Sequence, residues 1–327
     1  MMKNFSIIIG TLLAASNLYA GNTGNQVQAP TGVSLQAPKS ESAWSFGIEA
    51  LYMKPSNATF QYVQISNQST PTQTHQNNSV NPSSDWGGEF DATYHFAGNS
   101  RDIEVALMNL DVDNTGSTQI QDGQMSDPFG ISNRFTDSAN ADMDNSVDAV
   151  DVVFGQTFKI GPVVTMRPFG GVRYADLESN NVAQYFNSQA SAPAQGNGRI
   201  NSEFVGFGPR AGLDASFHVS SRISVVGTVG ASLLVGDIDT KLTTTAYQDN
   251  PQIIDNNESR ASVPELDAKL GINYQQKLSA NNSLDIQVGY QVVDYFDVIN
   301  KDFIDASTIN TVSNSDDLGF QGPYIRA

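Results

Sequence analysis

The stretch "AWSFGIEALYM", residues 43 to 53, presents two different faces when its residues are read alternately. One face is continuously apolar and carries an aromatic ring at each end: Trp44, Phe46, Ile48, Ala50 and Tyr52. The other face has small residues and a carboxylate, Glu49, near its middle. Strict alternation over this length predicts a β-strand. What remains to be explained is the medium that each face meets.

The aromatic residues at the two ends of the apolar face suggest a lipid bilayer. A strand from Trp44 to Tyr52 covers about 26 Å, and a tilt of roughly 40° leaves about 20 Å, close to the lipid-facing band of an outer-membrane barrel. Trp and Tyr favour the membrane interface, where an amphipathic ring is half hydrated. The apolar face is therefore expected to contact lipid, and Glu49 to point into a lumen.

The same alternation recurs along the chain, and the connections between the segments differ in length. Nine further segments alternate: residues 85–96, 101–110, 149–160, 163–175, 204–219, 222–236, 263–278, 284–295 and 317–326. Short connections (97–100, 161–162, 220–221, 279–283) take turns with long polar ones (54–84, 112–146, 177–202, 237–261, 297–315). Short turns at one end and long loops at the other are typical of outer-membrane barrels.

The predicted fold is therefore all-β, a transmembrane antiparallel β-barrel of about ten strands with short periplasmic turns and long extracellular loops. Aromatic residues are expected to form a girdle at the membrane edges: Trp44, Tyr52, Trp86, Tyr94, Phe320 and Tyr324. Residues 59–66 ("TFQYVQIS") would break the even strand number, so we expect them to form a hairpin arm above the membrane.

The N-terminus indicates export. Lys3, the apolar run "FSIIIGTLLAA" and the small residue Ala20 predict a signal peptide at residues 1–20. Residues 21–42 are rich in Gly, Gln, Ser and Pro and predict a flexible periplasmic leader, which leaves residues 43–327 for the barrel. Seventeen basic residues against 34 acidic ones argue against a nucleic-acid partner. The absence of cysteine excludes disulfides and thiol chemistry.

Seven stretches share features of order and spacing: residues 44–55, "VDAVDVVFG" (147–155), "RPFGGVRYADL" (167–177), "GFGPRAGLDASF" (206–217), "PELDAKLGINY" (264–274), "GYQVVDYF" (289–296) and "LGFQGPY" (318–324). Together they resemble the major outer membrane protein family of Legionella and its relatives. This resemblance implies a Gram-negative outer membrane and a porin-like, pore-forming role. Two features depart from the pattern: the chain lacks the cysteines that such proteins cross-link, and it ends on Ala327 rather than on an aromatic residue.

Six inward charges fall near mid-membrane on the predicted strands. Acids come from the first, second and fourth strands and bases from the fifth, sixth and eighth: Glu49, Asp91, Asp151, Arg167, Arg210 and Lys269. Acids along one wall and bases along the opposite wall would create a transverse field at a constriction, as in a channel for the passive diffusion of small polar solutes. In a ten-stranded barrel the same charges could instead pair and fill the lumen. A filled barrel would serve as an adhesin or structural surface protein through its long acidic loops.

Other kinds of site find little support in the sequence. Asp111, Asp113 and Asp122 have roughly the spacing of a calcium loop, but Asp stands where such a loop ends in Glu, and an acidic loop exposed to solvent explains them better. The histidines lack a nucleophile at a suitable height, so the chain is not expected to be an enzyme and no cofactor is expected. The expected partners are outer-membrane lipid and small polar solutes, with a host surface or a second copy of the chain left open.

Overall fold

The computed structural model describes residues 35–36, 42–56, 60–67, 74–120, 124–127, 129, 137–187, 194–246, 251–279, 282–305 and 310–327. Ten long strands make up the barrel. They are β1 (Ala43–Pro55), β2 (Asp85–His95), β3 (Arg101–Gln119), β4 (Ser138–Gln156), β5 (Val164–Phe186), β6 (Ala194–His218), β7 (Ile223–Ala246), β8 (Gln252–Lys277), β9 (Ser283–Asp305) and β10 (Asn310–Arg326). The described residues contain no helix long and apolar enough to cross a membrane.

The ten strands form one closed antiparallel sheet. Each strand pairs with its neighbour in the chain, and β10 returns to β1 with Phe320 opposite Pro55 and Arg326 opposite Glu49. Backbone hydrogen bonds of 3.0 Å in both directions between Ile48 and Ala327 complete the closure. A closed sheet pairs its backbone groups internally, as hydrocarbon surroundings require. The predicted fold and strand number are confirmed.

The strands extend well beyond their predicted ends on the long-loop side. Most of the predicted loops at 177–202, 237–261 and 297–315 are strand, because β5 to β10 continue through them. Most of their described outward residues there are polar, for example Glu178, Arg199 and Asp239, although the backbone pairing continues. The change from apolar to polar marks the edge of the membrane and not the end of the strand, so the predicted boundaries were wrong.

The exterior is an apolar band with aromatic residues at its edges. Trp44 is 63% exposed and contacts Tyr94 at a ring distance of 5.0 Å, while Trp86 is 65% exposed and contacts Tyr52 at 4.9 Å. These four residues therefore lie on the lipid-facing surface, near the two ends of β1 and β2.

The prediction was wrong for the last two residues of the aromatic girdle. Phe320 and Tyr324 are fully buried inside the barrel, and Pro323 and Ile325 face outward in their place. Tyr324 accepts a close hydrogen bond from Gln287, and the Lys269 ammonium lies 5.7 Å from the centre of its ring. The sequence pattern fails at β10 because apolar residues fill both the lumen and the outer face there.

The long-loop half of the lumen is packed with apolar side chains. Leu51, Met53, Phe204, Tyr295 and Phe320 are among the largest fully buried residues. Together with the small sheet described next, they fill this half of the barrel.

Two of the long loops contribute a small three-stranded sheet to the same core. Its strands are Gln61–Asn67, Thr74–Ser79 and Gln124–Ser126, which we call the loop sheet. Residues 61–67 pair with 74–79 as a hairpin and do not join the barrel, as predicted. The hairpin does not stand free above the membrane, however. Tyr62 and Val63 are buried, and the Tyr185 hydroxyl donates a 2.7 Å hydrogen bond to the Tyr62 carbonyl.

The predicted signal peptide, residues 1–20, lies outside the described residues. Of the predicted leader only residues 35–36 and 42 are described, and Leu35 and Gln36 lie opposite Ile160 and Lys159 at the short-turn end of the barrel. Both segments remain predictions.

Candidate functional site

The centre of the lumen holds a compact group of ion pairs on β4, β5, β6 and β8. Arg173 lies 2.6 Å from Asp151 and 2.6 Å from Glu265. Arg210 lies 2.6 Å from Asp267 and 3.2 Å from both Asp151 and Glu265. The two guanidinium groups thus share three carboxylates, and all five side chains are largely shielded from water. Planar guanidinium groups suit such shared, multiply bonded arrangements.

A second group joins opposite sides of the barrel. The Lys269 ammonium on β8 donates hydrogen bonds of 2.9 Å to Glu49 on β1 and 3.0 Å to Glu89 on β2. Arg326 on β10 lies 2.6 Å from Asp91. Because the barrel is narrow, one lysine side chain reaches across the lumen at this level.

The third group surrounds Arg167, nearer the short-turn end. Its guanidinium contacts Asp102 at 2.5 Å, Asp214 at 2.7 Å and Glu104 at 3.0 Å. Thr228 donates a 2.8 Å hydrogen bond to the other oxygen of Asp214. Glu104 and Asp214 keep about a quarter and a third of their side-chain surface exposed. One cation therefore faces three carboxylates where the lumen is most accessible.

Acids outnumber bases in these described groups, since nine carboxylates surround five cations. The carboxylates belong to Glu49, Glu89, Asp91, Asp102, Glu104, Asp151, Asp214, Glu265 and Asp267. The cations belong to Arg167, Arg173, Arg210, Lys269 and Arg326. The interior of the barrel is therefore net acidic at this level.

A cavity of about 340 Å³ lies among these groups. Its lining includes Glu89, His95, Glu104, Arg167 and Lys269, together with hydroxyl and amide side chains from β5 to β9. It occupies the half of the barrel nearer the short turns. Apolar side chains such as Met108, Val153 and Phe169 line it as well, and the charged and hydroxyl groups among them can bind water and small polar solutes.

All six predicted lumen residues line the interior, but not in the predicted pattern. Glu265 and Asp267 lie on β8 beside Lys269, and Asp214 lies on β6 beside Arg210. Each predicted base is paired directly with carboxylates, so the separation into an acidic and a basic wall was wrong. The physical reason is that an unpaired charge in a narrow, poorly hydrated lumen is costly. Acids and bases therefore form contact ion pairs and do not stay apart on opposite walls.

Sequence reasoning did not single out the remaining partners in these groups: Glu89, Asp102, Glu104, Arg173, Asp214, Glu265, Asp267 and Arg326. Most occupy inward positions of strands that had already been recognised. The alternation therefore already placed most of these side chains on the inward face. Glu89, for example, lies two residues before Asp91, which was chosen as the lumen residue of the same strand. Which charges meet across the lumen depends on the stagger of neighbouring strands, and the alternation of side chains gives no information about that stagger.

The other candidate residues do not form a site. Asp111 and Asp113 lie on the outer face of β3, Asp122 lies outside the described residues, and the described part of the chain has no group of three or more potential metal ligands. His95 contacts Ser45 at 2.9 Å, and His218 contacts Ser224 and Thr165. None of the described hydrogen bonds joins either imidazole to a carboxylate, as a catalytic triad would require.

A closed antiparallel barrel with an apolar, aromatic-edged exterior and a charged lumen defines a β-barrel protein of the bacterial outer membrane. A family model described as Legionella pneumophila major outer membrane protein precursor matches residues 36–327. The chain therefore belongs to this family of outer-membrane proteins, and the resemblance seen in its strands is confirmed. No curated protein matches the chain.

Solved structures with a distantly similar course of the chain include a protease and a transporter. The outer membrane protease OmpT from Escherichia coli is 13% identical, with 86% of this chain and 97% of OmpT covered and a TM-score of 0.42. The toluene transporter TodX from P. putida is 8% identical, with 86% and 89% covered and a TM-score of 0.32. We draw no conclusion about function from likenesses of this size.

Proposed function

We propose that this barrel is a narrow channel through which small polar solutes diffuse passively, with a preference for cations. The observation that carries the proposal is the net acidic lumen, in which nine carboxylates and five cations surround a cavity of about 340 Å³. Lumen charge of one sign raises the local concentration of small ions of the opposite sign. We also propose that the chain acts without catalysis, since the described histidines contact hydroxyl groups only.

Conductance of the purified protein in a planar lipid bilayer tests the proposal. We expect small current steps, and under a salt gradient a reversal potential of the sign that cation preference requires. The variants Glu104→Gln and Asp214→Asn remove the two most accessible lumen carboxylates and are expected to bring the reversal potential closer to zero. Current steps no larger than those of a protein-free bilayer would contradict the proposal.

The second candidate is a filled barrel that acts at the cell surface, as an adhesin or a structural protein. The packed long-loop half of the lumen favours this candidate, because the large side chains there are fully buried and block the passage. They include Leu51, Met53, Phe204, Tyr295 and Phe320. Absence of current, combined with binding of the purified protein to a host cell surface, would support this candidate. Deletion of residues 120–137, which join β3 to β4, would then abolish that binding.

A further inference from the structure

Six uncharged polar side chains are buried inside the long-loop half of the barrel, where their inward neighbours are apolar. They are Asn114, Asn145, Ser179, Asn181, Ser202 and Thr240, which we call the polar row. Each is at least nine-tenths buried. Val112, Val147, Leu177, Ile200 and Ile238 occupy adjacent inward positions on the same strands.

The polar row is continuous across neighbouring strands. Asn145 lies directly opposite Ser179, Ser179 opposite Ser202, and Ser202 opposite Thr240. The Ser202 and Thr240 hydroxyls are 3.3 Å apart, and the Asn181 amide donates a 3.2 Å hydrogen bond to Ser179. The row thus forms a hydrogen-bonding track along the inner wall from β3 to β7.

Part of the hydrogen-bonding capacity of this track is unused. Both polar atoms of the Asn145 side chain lack a partner among the described residues, and so do Nδ2 of Asn114 and Oδ1 of Asn181. Leaving a buried polar group unsatisfied costs about 1–3 kcal/mol, and such groups in a native protein call for a ligand, a water molecule or a functional explanation. Three neighbouring asparagines with free amide atoms indicate a site for a polar ligand.

The loop sheet and the segment that follows it contact the β3 end of this wall. Ser83, which follows the second strand of the loop sheet, donates 2.5 Å and 2.6 Å hydrogen bonds to Oδ1 of Asn114 from its backbone nitrogen and its hydroxyl. The Tyr62 hydroxyl and the Asn78 amide both lie 2.8 Å from the Thr118 hydroxyl on β3. These contacts with β3 are polar, and water could replace each of them. Tyr62, Val63 and Val80 also belong to the apolar core that the loop sheet shares with the barrel wall, so moving the loop sheet exposes apolar surface as well.

We propose that the polar row is a binding site for uncharged, hydrogen-bonding solutes such as small sugars, and that solutes reach it when the loop sheet moves off the wall. This inference rests on the proposed channel function and assigns a solute class to its long-loop half. The row carries no charge, so it provides donors and acceptors without favouring either sign of ion. Bound hydroxyl groups would satisfy the amide atoms that are unpaired when the loop sheet is in place.

The variant Asn145→Leu tests the site. It replaces the unpaired amide by an apolar side chain of similar size, so the barrel should fold at least as stably as the wild type. We expect uptake of the uncharged sugar arabinose into liposomes to become about fivefold slower, the factor that corresponds to one hydrogen bond, with ionic conductance changed by less than twofold. Met143→Leu, an apolar exchange at the next inward position of β4, serves as control and should leave uptake unchanged.

A disulfide tests the access route, because the native chain has no cysteine. A side chain at Gly116 on β3 would lie 3.3 Å from a methyl carbon of Val80, next to the loop sheet, which is within reach of a disulfide. In the double variant Gly116→Cys/Val80→Cys, the rate of arabinose uptake is expected to fall at least tenfold on oxidation and to recover on reduction. Each single cysteine variant should respond to neither treatment.

The outcomes separate this inference from the proposed function. Wild-type protein with neither current nor uptake would overturn both. Wild-type protein that conducts ions and takes up arabinose, with unchanged uptake in Asn145→Leu and in the oxidised double variant, would overturn the polar row alone. Slower uptake in both variants, with the two controls unchanged, would support it.

Discussion

Lys269 illustrates how strongly single residues depend on one another inside this lumen. Its ammonium is the shared counter-charge of two carboxylates, Glu49 and Glu89, which reach it from other strands across the lumen. Glu49 is almost completely buried, so it would lose its counter-charge without regaining water. Removing one partner of a buried ion pair is costly, whereas removing both together often is not.

The first prediction concerns this group. Lys269→Met should lower the free energy of unfolding by about 3 kcal/mol, measured by urea titration of the protein in lipid vesicles. The triple variant Lys269→Met/Glu49→Gln/Glu89→Gln should recover most of that loss, and Lys159→Met, at an exposed position near a short turn, should cause none. An effect of the same size at both lysines would contradict the assigned role.

Carboxylates also crowd the outer surface of the barrel above the apolar band. Asp113 and Asp144 lie directly opposite each other on β3 and β4, and Asp148 lies opposite Asp176 on β4 and β5. Like charges in directly opposite positions destabilise a sheet. Partial burial, followed by the charges of Asp113, Asp142 and Asp111, raises the pKa of Asp144 above its ordinary value.

The second prediction follows from the sign of this shift. A carboxylate with a raised pKa in the folded protein favours folding when protonated, and this contribution is lost as the pH rises through the folded-state pKa. Asp144→Asn should therefore stabilise the barrel by about 0.5 kcal/mol at pH 7 and have no effect below the usual aspartate pKa of 3.8. Asp255→Asn is the control, because Asp255 lies opposite Lys241 and its loss should not stabilise. Equal effects of Asp144→Asn at both pH values would argue against charge repulsion.

At the scale of the strand, β9 changes its surroundings part of the way along. From Gln287 to Tyr295 it pairs with β8 on one side and β10 on the other. Its pairing with β8 ends at Tyr295, opposite Glu265, and the pairing with β10 resumes at Ile299 after a bulge that contains Asp297 at a φ of +54°. Within the described part of the chain, residues 299–305 therefore have a neighbouring strand on one side only.

The third prediction is a step in amide protection within this strand. Hydrogen exchange should be at least tenfold faster for residues 299–305 than for residues 287–295, because fewer interactions must open to expose the upper amides. In β6 the pairing continues on both sides from Gly196 to Phe207, so this strand should show no such step. Uniform protection along β9 would contradict this prediction, because it would mean that residues 299–305 also pair with β8.

The last strand gives the fourth prediction. Ile325 is half exposed on the outer face, whereas Tyr324 is buried in the lumen. In a protein whose two native tryptophans are replaced, Trp44→Phe and Trp86→Phe, brominated lipid should quench the fluorescence of Ile325→Trp strongly and that of Tyr324→Trp weakly. Stronger quenching of Tyr324→Trp than of Ile325→Trp would mean that Tyr324 faces the lipid, as the sequence pattern predicted.

At the scale of the whole molecule, the alternation of side chains predicted the fold and the six lumen residues from sequence. It did so because lipid on one side and a lumen on the other impose a period of two on each strand. Three features escaped it. The faces of β10 are ambiguous because Phe320 and Tyr324 pack inside, the partners of the lumen charges depend on strand stagger, and the loop sheet is built from residues distant in sequence.

The most direct measurement is spin-label accessibility along β1 in lipid vesicles, with one cysteine at a time at residues 44–53. The account predicts a period of two: labels at 44, 46, 48, 50 and 52 meet oxygen dissolved in the lipid, and those at 47, 49, 51 and 53 do not, in keeping with the alternating burial of this strand. A profile without alternation, or one in which both faces meet a water-soluble relaxation agent, would contradict the membrane barrel.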